Sequence, residues 1–327
     1  MADIGVVDGN FIRQYELLIG TTTKTSNSGT VTKTTDLDTK LGSNKNSSGM
    51  RVITDNQLKA TIKKDNNKEP NKSQISIYNL KDDTVNYINK NIRNNVAVAL
   101  AVGYRDIGTM DVVFKGTVQW VSDTFTGVDR VTTLHCLDGG INLSLPRSSR
   151  SYPKGTKVKE VIQGLATDLG APTGHIAIDS DATLSSASAM SGSTSFYLNH
   201  LCDGIDHNFS IQDGSVFITP RSQMFSARSA YISAESGLIG SPQPFHNDIK
   251  PSQSVTKSSK KAKKPTDGVK FKCEINGSIV PEKTIWLKSK DYDNGFKVVT
   301  VTHTIDYEGN SFTTDIEAVA VSSYIKT

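Results

Sequence analysis

Ser73-Gln-Ile-Ser-Ile-Tyr-Asn-Leu80 opens the stretch that decides the fold of this chain, and that stretch runs on to Gly139. Ile75 and Ile77 alternate with polar neighbours, the two-residue period of a strand with one buried face. Asp82 or Asp83 is then expected to cap a short helix carrying Val85 and Ile88, because a side-chain carboxylate satisfies free N–H groups of a first turn. Three further strands are expected. Val96 to Tyr104 is strand-like throughout, Met110 to Val121 pairs back after a turn at Gly108, and Val131 to Asp138 alternates again before the Asp138-Gly139-Gly140 break.

Working outward, Phe11 to Ile19 reads as an opening strand with Tyr15, Leu17 and Ile19 on one face. From Gly20 to Gly49 the composition falls to Thr, Ser, Asn, Lys and Gly, too polar to offset the entropy of ordering. It is either a long flexible hairpin connection or an arm that orders against a neighbouring subunit, with Val31, Leu37 and Leu41 as its only anchors. Alternation resumes at Leu58 to Ile62, and residues 66–72 form a polar loop.

After Gly140 the pattern becomes mixed. Thr156 is expected to cap a helix with Val158, Val161, Ile162, Leu165 and Leu169 at helical spacing, stopped by Gly170 and Pro172. His175 to Asp179 reads as a short strand and Ser185 to Ser195 as a loop. A second helix from Ser195 to Asp203 is expected to turn Phe196, Leu198, Leu201 and Cys202 largely inward. Phe209 to Ile218 is a hairpin, since Asp213-Gly214 supplies the positive φ angles of a type I′ turn. The last third returns to strands at Tyr231–Ile239, Val269–Ile275, Thr284–Ser289, Phe296–Ile305 and Phe312–Val321. Residues 251–268 carry Lys257, Lys260, Lys261, Lys263 and Lys264; repeated like charges make them a solvated loop, or else a contact for an acidic partner surface.

At 327 residues the chain is long enough for two or three domains. No run approaches the roughly 20 apolar residues of a membrane helix. Met1 to Asp8 lacks a basic region ahead of an apolar stretch, so no secretory signal is read and folding in a cytoplasm is expected. A formal net charge of +4 is small for this length and does not argue for nucleic-acid binding. Cys136, Cys202 and Cys273 are far apart, which excludes a paired-cysteine metal or redox motif and leaves them reduced and mostly buried.

His200-x-Cys202-Asp203-x-x-Asp206-His207 is the one dense set of metal-ligand residue types. His200 and Asp203 share a helix face, but no zinc spacing is present and Cys202 stands at an inward position, so no metal site is assigned. No nucleophile elbow, placed Cys and His, paired glycosidase carboxylates or phosphate loop emerges. The reading therefore names no catalytic, cofactor-binding or metal residue and no cofactor.

The order of the pieces carries a resemblance: Ile75-x-Ile77-x-Asn79-Leu80, a short helix, Val98-x-Leu100-x-Val102-Gly103-Tyr104, a turn, Val113-Phe114-Lys115-Gly116 and a strand ending Leu137-Asp138-Gly139. Downstream lie Ser236-Gly-Leu-Ile-Gly-Ser-Pro242 and a tail with Asp306-Tyr-Glu-Gly-Asn-Ser-Phe-Thr-Thr-Asp-Ile316. Together these resemble the central baseplate hub proteins of contractile-tailed bacteriophages. The resemblance implies a mainly β chain: a tube-like β-barrel over 1–140, an α/β module over 141–221 and a second tube-like barrel over 222–327, with 236–242 as the linker into it. It also implies a homotrimer in the virion, assembled in the host cytoplasm. Such a trimer joins the six-fold tail tube to a three-fold central spike, near tape measure and other baseplate proteins, around a channel that passes phage DNA. The 20–49 insertion and the lysine loop depart from the family pattern. A different class, a tail-associated peptidoglycan hydrolase with its active site in the α/β module, is the alternative.

Overall fold

The computed structural model describes residues 12–21, 23–27, 30–34, 50–105, 109–139, 144–247, 266–321 and 323–324. Strand β1 (Arg13–Thr21) buries Tyr15, Leu17 and Ile19. Within the polar 20–49 stretch, β2 (Thr23–Asn27) and β3 (Thr30–Thr34) pair as an antiparallel hairpin, while Leu37 and Leu41 lie outside the described residues. Then come β4 (Arg51–Ile53), β5 (Leu58–Asp65), β6 (Asn71–Tyr78), helix α1 (Asp82–Asn91), β7 (Val96–Tyr104), β8 (Thr109–Thr126) and β9 (Asp129–Asp138). The residue before α1 is Lys81, with no side-chain cap. Asp82 and Asp83 are not caps but sit in the first turn, where their charge still complements the free N–H groups. Gly108 lies outside the described residues.

The middle of the chain forms β10 (Arg147–Tyr152), α2 (Val158–Asp168), β11 (Thr173–Ile176), β12 (Ser188–Ser193), α3 (Thr194–Gly204), β13 (His207–Gln212) and β14 (Ser215–Pro220). Three expectations are corrected here. Thr156 does not cap α2; Lys157 precedes it, and the Thr156 hydroxyl donates to the Pro153 carbonyl instead. Residues 188–193 are not loop but a strand antiparallel to β10. Its Ser, Ala and Gly side chains carry too little hydrophobic contrast to reveal a period, and only Met190 is buried there. Phe196 points outward: α3 buries Leu198 and Cys202 four residues apart, and Phe196 stands roughly 200° around the helix from Leu198. The hairpin of β13 and β14 forms as expected, with Asp213 and Gly214 at φ of 50° and 78°.

The last third forms β15 (Gln223–Met224), β16 (Arg228–Ile232), β17 (Leu238–Asn247), β18 (Thr266–Glu274), β19 (Thr284–Lys288), β20 (Asp293–Asp306), β21 (Phe312–Val319) and β22 (Ser323–Tyr324). Residues 231–239 are two strands rather than one. They are broken by a 3₁₀ turn at Ala234–Ser236, where Ser233 and Ser236 cap each other's backbone, and by Gly237 at φ 98°. The 236–242 segment expected as a linker therefore opens β17 and lies within the main sheet. Lys257 to Lys264 lie outside the described residues.

One sheet runs β17-β18-β21-β20-β5-β6-β9-β8-β7-β1-β4, with β19 pairing both β16 and β20. All its ladders are antiparallel except the parallel pair of β16 and β19. Strand β20 is the join. One side lies along β21, while the other pairs first with β19 over Asp293–Lys297 and then with β5 over Thr300–Asp306. Three main hydrophobic clusters result. The first fills the β1 to β9 region but also takes in Ile305 and Phe312. The second packs α2 and α3 against β13 and β14, and the third lies among β16 and β18 to β21.

Cys136 belongs to the first cluster, and burial pushes its thiol up to about 12. Replacing it with Ser is expected to cost about 1–3 kcal/mol, the penalty of a poorly satisfied buried hydroxyl. Slow reaction of the native thiol with a bulky maleimide, and an unfolding midpoint lowered in the variant, are the two checks.

Candidate functional site

Alternation along β5 turns Leu58, Ala60 and Ile62 inward, and the same phase carries Lys64 inside. A buried ammonium requires a paired acceptor. Lys64 meets both oxygens of Asp213 at 2.7 and 2.6 Å, at the tip of the β13–β14 hairpin. The backbone N–H groups of Asp213 and Gly214 in turn donate to the buried Asp138 carboxylate at 2.7 and 2.9 Å. Beside them, Asn71 donates to Gln212 Oε1 at 3.0 Å, and Gln212 donates to the Asp65 carbonyl at 2.7 Å. A hairpin in the middle of the chain is thus locked to the ends of β5, β6 and β9.

A second buried pair ties the last third into the same joint. Lys297 of β20 lies 2.7 Å from Glu282, both side chains almost wholly buried. Glu282 also accepts from Asn66 at 2.7 Å, from Asn208 at 2.8 Å and from the Thr219 hydroxyl. Lys297 donates further to Thr219 Oγ1 and to the Pro220 carbonyl. Burial alone would raise the Glu282 carboxyl, but the charge and hydrogen bond of Lys297, with those of Thr219 and Asn66, hold it below the usual range. His303, on β20 and wholly buried, is pushed down to about 3 by burial and by the Lys64 charge, and so stays neutral.

Burial, and then the Asp213 charge, push the Asp138 carboxyl up to about 7, against the pull of Lys64 and the two amides. The folded chain therefore holds a proton that an unfolded aspartate releases near about pH 4. The associated stabilisation is complete below that pH and is lost as pH rises towards about 7. The difference in unfolding free energy between wild type and Asp138→Asn is expected to fall over this window and level off above it. Denaturant titrations at several pH values test this; a difference that stayed flat from about pH 4 to 7 would contradict it.

Within the main sheet, β8 changes neighbour along its length. Residues 109–117 pair with β7 and Thr117–Thr126 with β9. The crossing needs Gly116, where a Cβ would stand 2.5 Å from the Leu137 carbonyl oxygen and from the Phe114 ring. Beyond Thr117 the other edge of β8 has no strand partner among the described residues. Close to the Gly127 turn the hairpin is braced by Arg130, which pairs with Asp123 at 2.9 Å and with Asp82, and by Thr132, which donates to Asp123 at 2.6 Å.

The 200–207 set is dispersed. Asp203 pairs with Lys68 and Arg221, His207 Nε2 faces Asp179 at 3.1 Å, His200 lies over Phe196, and Cys202 is buried with its thiol raised to about 12. Among the described residues no group of three His, Cys, Asp or Glu side chains is placed to hold a metal ion. No helix among them is long and apolar enough to cross a membrane. Sequence reasoning missed Lys64, Asp138, Glu282 and Lys297. For Lys64 a signal existed, since it continues the inward phase of Leu58, Ala60 and Ile62; for Glu282 there was none.

The family described as baseplate hub gp41 matches residues 40–280, well over half of the chain. The chain belongs to this baseplate hub family. It is therefore a phage tail protein, and its place in the virion is the tail baseplate. Solved structures share the fold. The hub chain aligns with the 43 kDa tail protein of prophage MuSo2 from Shewanella oneidensis at TM-score 0.56 and 8% identity, over 93% of this chain and 98% of that one. It aligns with the tail protein of Neisseria meningitidis MC58 at TM-score 0.58 and 9% identity, over 94% and 96%. The E. coli c3393 protein aligns at TM-score 0.51 and 10% identity, over 83% and 76%. That protein is a type VI secretion component described as structurally similar to the T4 tail proteins gp27 and gp5. No curated protein matches the chain.

Proposed function

We propose that this hub protein is a homotrimeric, non-enzymatic adaptor. Each chain supplies two tube-like barrels, over 1–140 and 222–327, flanking an α/β module over 141–221. Three chains then present six similar barrels to a six-fold tail tube and three-fold symmetry to a central spike. The observation that carries the reading is β20, a single strand that pairs with β19 in one strand-rich half and β5 in the other, so the two halves form one sheet over two separate cores. The buried Lys64–Asp213 and Lys297–Glu282 pairs support it, since they fix the module against both halves. Tube, spike, tape measure and other baseplate proteins are the partners of this reading, assembly takes place in the host cytoplasm, and DNA passes through the channel. Native mass of the chain with and without its spike, together with a copy count in assembled tails, tests it. Three copies are expected; six copies around the tail axis would overturn it. A peptidoglycan zymogram is expected to stay blank.

A further inference from the structure

We infer that Lys64 and Asp213 go on to form a covalent amide between their side chains, stapling β5 to the tip of the β13–β14 hairpin. The ion pair described above is the state from which the bond forms. The nucleophile is wholly buried, and among the described residues its nitrogen has no acceptor other than the two Asp213 oxygens, at 2.7 and 2.6 Å. With both oxygens that close, the carboxyl carbon lies about 3 Å from the nitrogen, within the range of near-attack geometry. Lys297 is placed differently. It meets one oxygen of Glu282 and is held also by Thr219 and by the Pro220 carbonyl, while that carboxylate accepts from Asn66, Asn208 and Thr219 as well.

The step balances within the pair. The ammonium passes a proton to the Asp213 carboxylate, which leaves a neutral amine beside a carboxylic acid. The Nζ–Cγ bond then forms and the Cγ–Oδ2 bond breaks, and the departing hydroxyl leaves as water with a second proton from the nitrogen. Charge developing on Oδ1 faces the Lys115 backbone N–H at 3.3 Å. The Asp213 side chain is 22% exposed, which gives its carboxyl room to turn its face to the nitrogen and the water a way out. Burial supplies the drive, because two charges held out of water at a cost become one neutral amide. Attack on the same carbon by the Gly214 nitrogen, the ring closure to which Asp-Gly pairs are prone, is opposed: that N–H is held by the buried Asp138 carboxyl at 2.9 Å. With Cys136, Cys202 and Cys273 all unpaired, the amide would be a cross-link that no reductant opens.

The test is the intact mass of the full-length protein, folded, stored at neutral pH until its mass no longer changes, and then fully denatured. A loss of one water per chain is expected, with faster migration on a denaturing gel because residues 64–213 are closed into a loop. Tryptic digestion is expected to give a branched peptide that joins the Lys64 and Asp213 segments and survives hydroxylamine. Lys64→Met, which removes the nucleophile, is expected to keep the full sequence mass. A folded wild-type chain that retains its full mass overturns the inference, whether or not the variant folds. A lost water that hydroxylamine opens, or that persists in Lys64→Met, belongs to ring closure at Asp213-Gly214 and overturns it as well.

Discussion

Glu282→Ala is expected to lower the unfolding free energy by about 3–5 kcal/mol, the cost of leaving a buried cation without its counter-charge. Lys297 would keep only the Thr219 hydroxyl and the Pro220 carbonyl, and the amides of Asn66 and Asn208 would lose their shared acceptor. Glu282→Gln keeps the shape and one acceptor oxygen, so it separates charge from hydrogen bonding and should cost less. Replacing both partners with apolar residues, Glu282→Leu with Lys297→Met, should recover only part of the loss, because the desolvation of two charges disappears with their attraction while Asn66, Asn208 and Thr219 still lack their acceptor. Denaturant unfolding of the four proteins decides the point. A loss below about 1 kcal/mol for Glu282→Ala would show that water reaches the pair and that its burial does not matter.

Phe312→Ala is expected to cost about 3–5 kcal/mol and to loosen the first half of the chain, although Phe312 belongs to the last third. Its ring is buried in the first cluster, edge-on to Tyr104 at 5.4 Å, with the Arg13 guanidinium 5.1 Å over its face. Arg13 also donates to the carbonyls of Asp306 and Gly309, which fastens β1 to the turn between β20 and β21. Hydrogen exchange should therefore quicken in β1, β5 and β6 of the variant. Exchange confined to β20 and β21 would mean that the first core closes without them.

Most strands were legible because their side chains alternate strongly: Ile75 and Ile77, Leu134 and Cys136, Phe312, Thr314 and Ile316 fall where the two-residue period puts them. The pattern failed where contrast failed. The Ser- and Ala-rich β12 looks like loop because its pairing with β10 is held by backbone hydrogen bonds and not by apolar area. The helix starts were misplaced by one or two residues because acidic and hydroxyl side chains near a first turn do not always close the capping bond. The polar joint was illegible for a different reason. Lys64, Asp213, Glu282 and Lys297 lie far apart in the chain, and apart from Lys64, which continues the inward phase of β5, each looks like an ordinary surface charge until the strands are brought together. Glu282 even adopts φ 73°, a backbone angle that nothing in its local sequence foretells.

The shared strand also sets an order of events at the ribosome. Asp65 cannot find Thr300, nor the first core its Ile305 and Phe312, until nearly the whole polypeptide has emerged. While synthesis continues, β5 keeps an unpaired edge of the kind that invites wrong partners. Contacts this distant in sequence also make for slow closure. A prematurely terminated chain would lack the strand that completes its own beginning, leaving β5 with an open edge and the first core without Ile305 and Phe312.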